Sequence, residues 1–284
     1  MTGIIRKLAM EVYDEETARR IWQRVDLIGD IAVIKTPFGM TPDKLRPLAE
    51  RLVRELKYVK SVWAAAGPVE GEYRLRNLVH LAGEAKTETI YREYGCSFLV
   101  DITKVYISPR LSYEHYRVAS LVGDGEKVVN MYAGAGGFSI VMAKLSSPEK
   151  VYSIDINVDA FYYMYKNIIL NKVEDVVTPL LGDATILIAS HLKGYADRVL
   201  MPLPDKALEH LPYAIMALSP AGERIIHVYL HVGAAKGEDP LEKAVNIVNW
   251  RLHELGYEGI VRGRRIVRAI GPRRYQVVLD LKIL

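Results

Sequence analysis

Cysteine is nearly missing from this 284-residue chain. Cys96 stands alone, so no internal disulfide can form, and no Cys/His cluster has the spacing of a zinc site. Glutamine occurs twice, at Gln23 and Gln276. Few thermolabile Cys and Gln, with prolines in the loops, fit a thermophilic source. No apolar run reaches the roughly 18–20 residues that span a bilayer. The opening MTGIIRKLAM carries no signal-peptide apolar segment. Repeats and low-complexity tracts are absent too. These gaps argue against a membrane-spanning chain, a disulfide scaffold or a disordered polymer, and the expectation is a cytoplasmic, monomeric protein with no metal site.

What is present is a globular balance, with 50% hydrophobic and 25% charged residues, enough for a sizeable core. The formal charge is only +4, which permits a polyanionic partner without demanding one. The positive residues are unevenly spread: Arg262, Arg264, Arg265, Arg268, Arg273 and Arg274 crowd one C-terminal stretch. Such a cluster is either a solvated face or a phosphate-binding patch.

Apolar spacing predicts helices over 15–25 and 42–56, the second opening on Thr41 and Pro42. A turn and buried strand are expected over 26–35, a β-rich run over 59–66, and strands over 73–81, 88–94, 96–101 and 104–107. These make an N-terminal α+β domain over residues 1–108. From 109 to 284 the pattern becomes strand–helix alternation, the signature of parallel βαβ units. A helix over 112–121 leads in, and a helix over 241–255 with antiparallel strands near 263–269 and 275–282 closes the sheet. The expected fold class is α/β, a Rossmann-like domain behind a smaller α+β domain.

The cofactor reading comes from four strand ends in order. The first ends in Tyr132, Ala133, Gly134, Ala135, Gly136 and Gly137, where glycines let the backbone turn and approach a ligand. The second ends in Asp155 and Ile156, with a carboxylate able to accept both ribose hydroxyls. The third ends in Asp183 and Ala184, near where an adenine amine would lie. The fourth ends in Met201, Pro202, Leu203 and Pro204, a stiff loop over the reacting end. Alone, Asp155 and Asp183 read equally well as helix caps, and the prolines as loop stiffeners. As an ordered set at the carboxyl ends of successive strands they read as a pocket for S-adenosylmethionine, and the lack of a second phosphate-type glycine pattern argues against a dinucleotide.

Longer matches make the reading specific. IGDIAVIK at 28–35, TKVYISPRLSYEHYR at 103–117, the YAGAGGF loop, SIDINVDAFYYMYKNIILNKVED at 153–175 and DRVLMPLPDKALEHLP at 197–212 together resemble the archaeal and eukaryotic family of tRNA (guanine-37-N1) methyltransferases and wybutosine aminocarboxypropyl transferases. The resemblance covers nearly the whole chain and implies that the Rossmann-like domain is a class I S-adenosylmethionine-dependent methyltransferase domain. It implies tRNA modification, with N1-methylation of guanosine 37 beside the anticodon as the leading activity and the tRNA anticodon stem-loop as partner. The alternative is aminocarboxypropyl transfer to a wyosine precursor, and a second alternative is an inactive tRNA-binding paralogue.

By motif position the resemblance makes Glu114 the base that takes the N1 proton and Arg74 the cation for charge shifting onto O6. It places Ser108 and His115 on the methionine part of the cofactor. The target base must leave its stack, with Tyr73, Tyr113 or Tyr132 available to receive it. Three positions depart from the family pattern. His115 stands where arginine is usual, Asn130 where aspartate is usual, and Pro202 where many N1-methyltransferases carry asparagine. The separate small domain that contacts the tRNA elbow in larger members is not expected here. Binding would then rest on the α+β domain and the arginine-rich stretch, and would weaken with salt.

Overall fold

The computed structural model describes the backbone of residues 2–70 and 75–284. It divides into two compact units, Met1–Ser112 and Tyr113–Leu284.

In the first unit, α1 (Thr2–Val12), α2 (Glu15–Arg20) and α3 (Arg46–Glu55) accompany a four-stranded sheet. Its strands are β1 (Val25–Ile28), β2 (Ile31–Lys35), β3 (Ser61–Glu70) and β4 (Leu75–Gly83), in the order β1-β2-β3-β4. The β2–β3 pair is parallel and the other two pairs are antiparallel. Ile5, Leu8, Leu48, Leu52, Val62 and Leu81 share one buried cluster, which seats α1 and α3 on the sheet. A separate hairpin joins β5 (Glu88–Glu93) to β6 (Cys96–Asp101).

Several sequence expectations shift here, and the strand expected over 104–107 does not form, those residues being turn and irregular backbone after β6. The helix expected over 15–25 ends at Arg20, because the alternating 25–28 segment pairs with β2 instead. A helix precedes it at Thr2–Val12, where none was expected. The helix expected over 42–56 begins as a 3-10 turn, Pro42–Leu45, and Thr41 makes no side-chain cap bond.

The second unit begins within α4 (Ser112–Ala119) and continues as β7 (Lys127–Asn130), α5 (Gly137–Leu145), β8 (Lys150–Asp155), α6 (Val158–Asn171), β9 (Val177–Leu181) and α7 (Ala184–Leu187). Then come β10 (Arg198–Met201), α8 (Ala207–Ala217), β11 (Ile225–Gly233), α9 (Pro240–Glu254), β12 (Gly259–Gly271) and β13 (Arg274–Ile283). The seven strands lie in the order β12-β13-β11-β10-β7-β8-β9. Strands β9, β8, β7, β10 and β11 are parallel, and the closing β12–β13 hairpin is antiparallel. This is a Rossmann-like doubly wound sheet. Strand order reverses between the adjacent β7 and β10, and the crevice beyond the carboxyl ends at such a reversal is where open α/β sheets hold ligands. Val128, Val129, Val199 and Leu200 are fully buried, as central strands covered on both faces require.

Candidate functional site

The loop after β7 is built by backbone conformation. Gly136 caps α5 with φ +94, in the left-handed region that favours glycine. Gly137 has a different need: a Cβ there would lie 2.7 Å from Cε1 of His115. The missing side chain lets that imidazole sit against the first turn of α5, with its ring edge-on to Phe138 at 4.5 Å. Beneath the loop, Nδ2 of fully buried Asn130 donates to Oγ of Ser139 at 3.1 Å, and Ser153 donates to the same oxygen at 2.6 Å. Asparagine at 130 therefore serves as a donor, which a carboxylate could not do.

Asp155 ties this loop to the end of β8. Its Oδ2 accepts from the Gly134 N–H at 2.7 Å and its Oδ1 from the Asn157 N–H at 2.9 Å. Burial nonetheless raises the Asp155 carboxyl above its ordinary range, because those backbone bonds compensate only in part. Added hydroxyl donors would supply the missing stabilisation, which suits a ribose diol. Ile156, beside it, is exposed. Asp183 is a helix cap, its Oδ1 accepting from the N–H of Thr185 at 2.7 Å and of Ile186 at 3.3 Å. Burial pushes its carboxyl up, but the bonds from Thr185 and Ile186 outweigh that and hold it below the usual range. Capping uses Oδ1, so the cap reading and the ligand reading are compatible. Ala184 is buried behind it. The Tyr132 hydroxyl shares a hydrogen bond with Nδ1 of His210 at 2.6 Å, and burial, with Asp183 and Glu209 nearby, raises its phenol. Pro202 follows β10 directly and brings no donor.

Glu114 is 1% exposed. Its Oε2 accepts from the Tyr229 hydroxyl and from Nε of Arg117, each at 3.0 Å. Burial, then the Glu114 charge, lifts the Tyr229 phenol well above 10, so it acts as a donor. Arg117 is gripped in turn by Asp280 at 2.6 and 3.2 Å. Asp280 meets Nδ1 of His227 at 2.5 Å, and Nε2 of His227 meets Nη1 of Arg198 at 2.7 Å. Arg198 ends the chain on Glu126, at 2.6 and 2.8 Å. A glutamate on α4 is thereby anchored through β11, β13 and β10. Its other oxygen, Oε1, is buried and accepts no hydrogen bond from any described residue. Nε of Arg265 forms an ion pair with that oxygen at 3.2 Å, without hydrogen-bond alignment. Tyr229 also packs edge-on to Phe138 at 5.8 Å, linking the carboxylate to the glycine loop.

Of the residues expected from sequence, Glu114, His115, Tyr132, Gly134, Gly136, Asp155, Ile156, Asp183, Ala184 and Pro202 all belong to the second unit. Ser108 is buried in the first unit, just before the 3-10 turn Pro109–Leu111. Arg74 and Tyr73 lie outside the described residues. Sequence reasoning missed Arg117, Tyr229, His227, Asp280 and the role of Arg265. Only Arg117 carried a local signal, lying three residues after Glu114 on one helix face. A separate cleft in the first unit, lined by Asp30, Lys86 and Thr89 among others, offers less chemistry: Lys86 pairs with Asp30 at 2.5 Å and Thr89 donates to it at 2.7 Å.

Residues 89–257 match the TRM5/TYW2 methyltransferase domain, and residues 5–87 match the TYW2 N-terminal domain. The tRNA 4-demethylwyosine(37)-methyltransferase Taw21 of Saccharolobus solfataricus is 43% identical, over 92% of this chain and 94% of that protein. The tRNA (guanine(37)-N(1))-methyltransferase Trm5b of Pyrococcus abyssi is 38% identical, over 95% of this chain and 77% of its own length. Among solved structures, the complex of aTrm5 and tRNALeu superposes with a TM-score of 0.83 at 33% identity, covering 99% of this chain and 78% of that one.

Proposed function

The chain belongs to the TRM5/TYW2 methyltransferase family, and from that premise we propose that it methylates the base at position 37 of tRNA, with 4-demethylwyosine as the preferred base. S-adenosylmethionine is the family's cofactor, and it supplies an electrophilic methyl group when bound. The carrying observation is the divided carboxylate of Glu114: one oxygen fixed by Tyr229 and Arg117, the other accepting no hydrogen bond from the described residues. A base that gains a methyl group must lose a proton, and Oε1 would take it. Asp155 would hold the ribose hydroxyls, the backbone around Gly134 and Gly136 the adjoining chain, and Asp183 the adenine amine. His115, on α4 and packed against the first turn of α5, would face the carboxylate of the methionine part.

Two observations favour 4-demethylwyosine over unmodified guanosine. The 43% identity to Taw21 exceeds the 38% to Trm5b. Pro202 also removes the side-chain amide that many N1-methyltransferases present at this position. N1-methylation of guanosine 37 is the second reading, favoured by the Trm5b similarity across 95% of the chain. Aminocarboxypropyl transfer needs the cofactor turned so that a different carbon faces the base, and the N-terminal match to TYW2 keeps it in the test. The anchoring of Glu114 through Oε2 speaks against an inactive paralogue.

The deciding experiment gives the protein two tRNAs, one with guanosine and one with 4-demethylwyosine at position 37, and cofactor labelled either in the methyl group or in the carboxyl group. Methyl label on the 4-demethylwyosine tRNA alone supports the proposal. Methyl label on guanosine supports the second reading, and carboxyl label in either tRNA overturns methyl transfer.

A further inference from the structure

We propose that Trp22 and Phe38 of the first unit, with the cations around them, form a stacking platform for an unpaired nucleobase of tRNA and the phosphate beside it. This platform presupposes that tRNA is the substrate, and it adds a contact that involves neither the cofactor nor Glu114.

The phenylalanines of this chain do not share one environment. Phe98 and Phe138 are buried and Phe161 is half-buried, while Phe38 is 99% exposed. Local structure holds its ring in solvent. Pro37 beside it is buried, and the Met40 N–H donates to the Pro37 carbonyl at 3.1 Å. Gly39 takes φ +71, the positive angle that the third residue of a type II turn requires. The Thr36 N–H donates to the Ala65 carbonyl of β3 at 3.1 Å, and Nη2 of Arg20 donates to the Phe38 carbonyl at 2.9 Å. Trp22, two residues beyond Arg20, is 52% exposed, and Nζ of Lys35 lies 4.6 Å over its ring. The β1–β2 register sets Val25 opposite Ile34, which brings exposed Arg24 beside Lys35 at the strand ends.

Charge decides what such a surface fits. Among the described residues, Arg20, Arg24 and Lys35 form no ion pair with a carboxylate. The carboxylates of Glu15, Asp26 and Asp43 pair instead with Arg19, Arg110 and Arg46. An apolar protein face would gain nothing from three cations, and lysine is depleted where protein interfaces are driest. A nucleobase answers both halves of the surface, with a π face for the rings and a phosphate for the cations. Bases inside a duplex have no open face, so the occupant is a base from a loop. Arg20 keeps further donors in its planar fork after bonding the Phe38 carbonyl. Because the turn already fixes Phe38, little conformational freedom is lost when a base stacks on it.

The test is the affinity of the full chain for whole tRNA, read by fluorescence anisotropy, with single-turnover transfer at saturating tRNA on the same preparations. Phe38→Ala should weaken binding about tenfold. Phe38→Leu should weaken it as much, because leucine keeps apolar area and has no π face. Phe38→Trp should stay within about twofold of wild type. Lys35→Ala should lower the slope of log affinity against log salt by about one. Phe38 buries almost nothing, so melting temperatures should match wild type, as should the transfer rate at saturation. Wild-type tRNA affinity in Phe38→Ala overturns the inference. Wild-type affinity in Phe38→Leu overturns it too, since the contact would then be apolar and not a stack. Binding to phosphatidylserine/phosphatidylcholine vesicles, or self-association in sedimentation, that Phe38→Ala abolishes without changing tRNA affinity assigns the patch to a membrane or a second copy and also overturns it. Tenfold losses of tRNA affinity in a protein that transfers no methyl group leave this inference standing and overturn the proposed activity. Methyl transfer with unchanged affinity in every variant does the reverse.

Discussion

His227 donates its Nδ1 proton to Oδ1 of Asp280 across 2.5 Å, with no solvent exposure at the imidazole. The tautomer follows from the far side of the ring: Arg198 has only donors, so Nε2 must accept. His227 is therefore neutral in the folded protein. Burial depresses its basicity more than Asp280 restores it, and the nearby Arg198 and Arg117 lower it further. Asp280, despite burial, is brought down to about 2 by His227 and Arg117.

Stability should consequently fall with acid in two stages. A histidine depressed on folding is protonated first in the unfolded chain, so its contribution is complete above about pH 6.5 and is lost as pH drops below it. Asp280, also depressed, contributes fully above its unfolded value and loses its share between about pH 4 and pH 2. Urea denaturation at a series of pH values checks this. His227→Gln should remove the upper stage, and an unchanged upper stage in that variant would refute the assignment.

Asp280→Asn leaves Arg117 as a buried cation with a weaker partner. Breaking one member of such a pair costs about 3–5 kcal/mol, so the midpoint of denaturation should drop sharply. Transfer should slow as well, since Arg117 would no longer fix Oε2 of Glu114. Equilibrium unfolding and single-turnover rates of the same preparation separate the two effects.

Glu114→Gln keeps the shape of the side chain and removes the proton acceptor. Transfer should fall about 10²–10⁴-fold, with cofactor affinity within about twofold of wild type. Isothermal titration with the demethylated cofactor product, beside rapid-quench kinetics, measures both quantities.

Gly137→Ala should weaken cofactor binding through His115, which the new methyl would strike at 2.7 Å. Overpacking of this kind costs about 1–3 kcal/mol. Because the strain involves one partner, the same substitution in a His115→Ala background should cost less. A double-mutant cycle on cofactor affinity and melting temperature reads the coupling; strict additivity would refute the contact.

Arg262 and Arg264 lie on the exposed face of β12, where alternate residues point to solvent. If they meet phosphates, each alanine variant should reduce the slope of log affinity for tRNA against log salt by about one. Fluorescence anisotropy over a salt series tests this. Arg265, on the other face and paired with Glu114, should leave that slope unchanged.

Strand–helix alternation, glycines after the first strand of the second unit and carboxylates after the next two were all visible in the chain. Each depends on local spacing, and the sheet places successive strand ends on one side by topology alone. Glu114 was legible through the motif around it, as was the departure at Pro202. What the chain order could not disclose is the company Glu114 keeps. Tyr229, Arg265 and Asp280 lie more than a hundred residues from it and come from three strands whose register decides which side chains face α4. The pairing of β11 with β13, and of β13 with β12, aligns His227 with Asp280 and Asp280 with Gly263. Sequence periodicity says that a strand has two faces; only the packed sheet says what each face meets. The arginine-rich stretch shows the difference best. Composition identified a basic segment, and folding divided it, turning Arg262 and Arg264 to solvent and Arg265 onto a buried carboxylate, because alternate residues of a strand must point opposite ways.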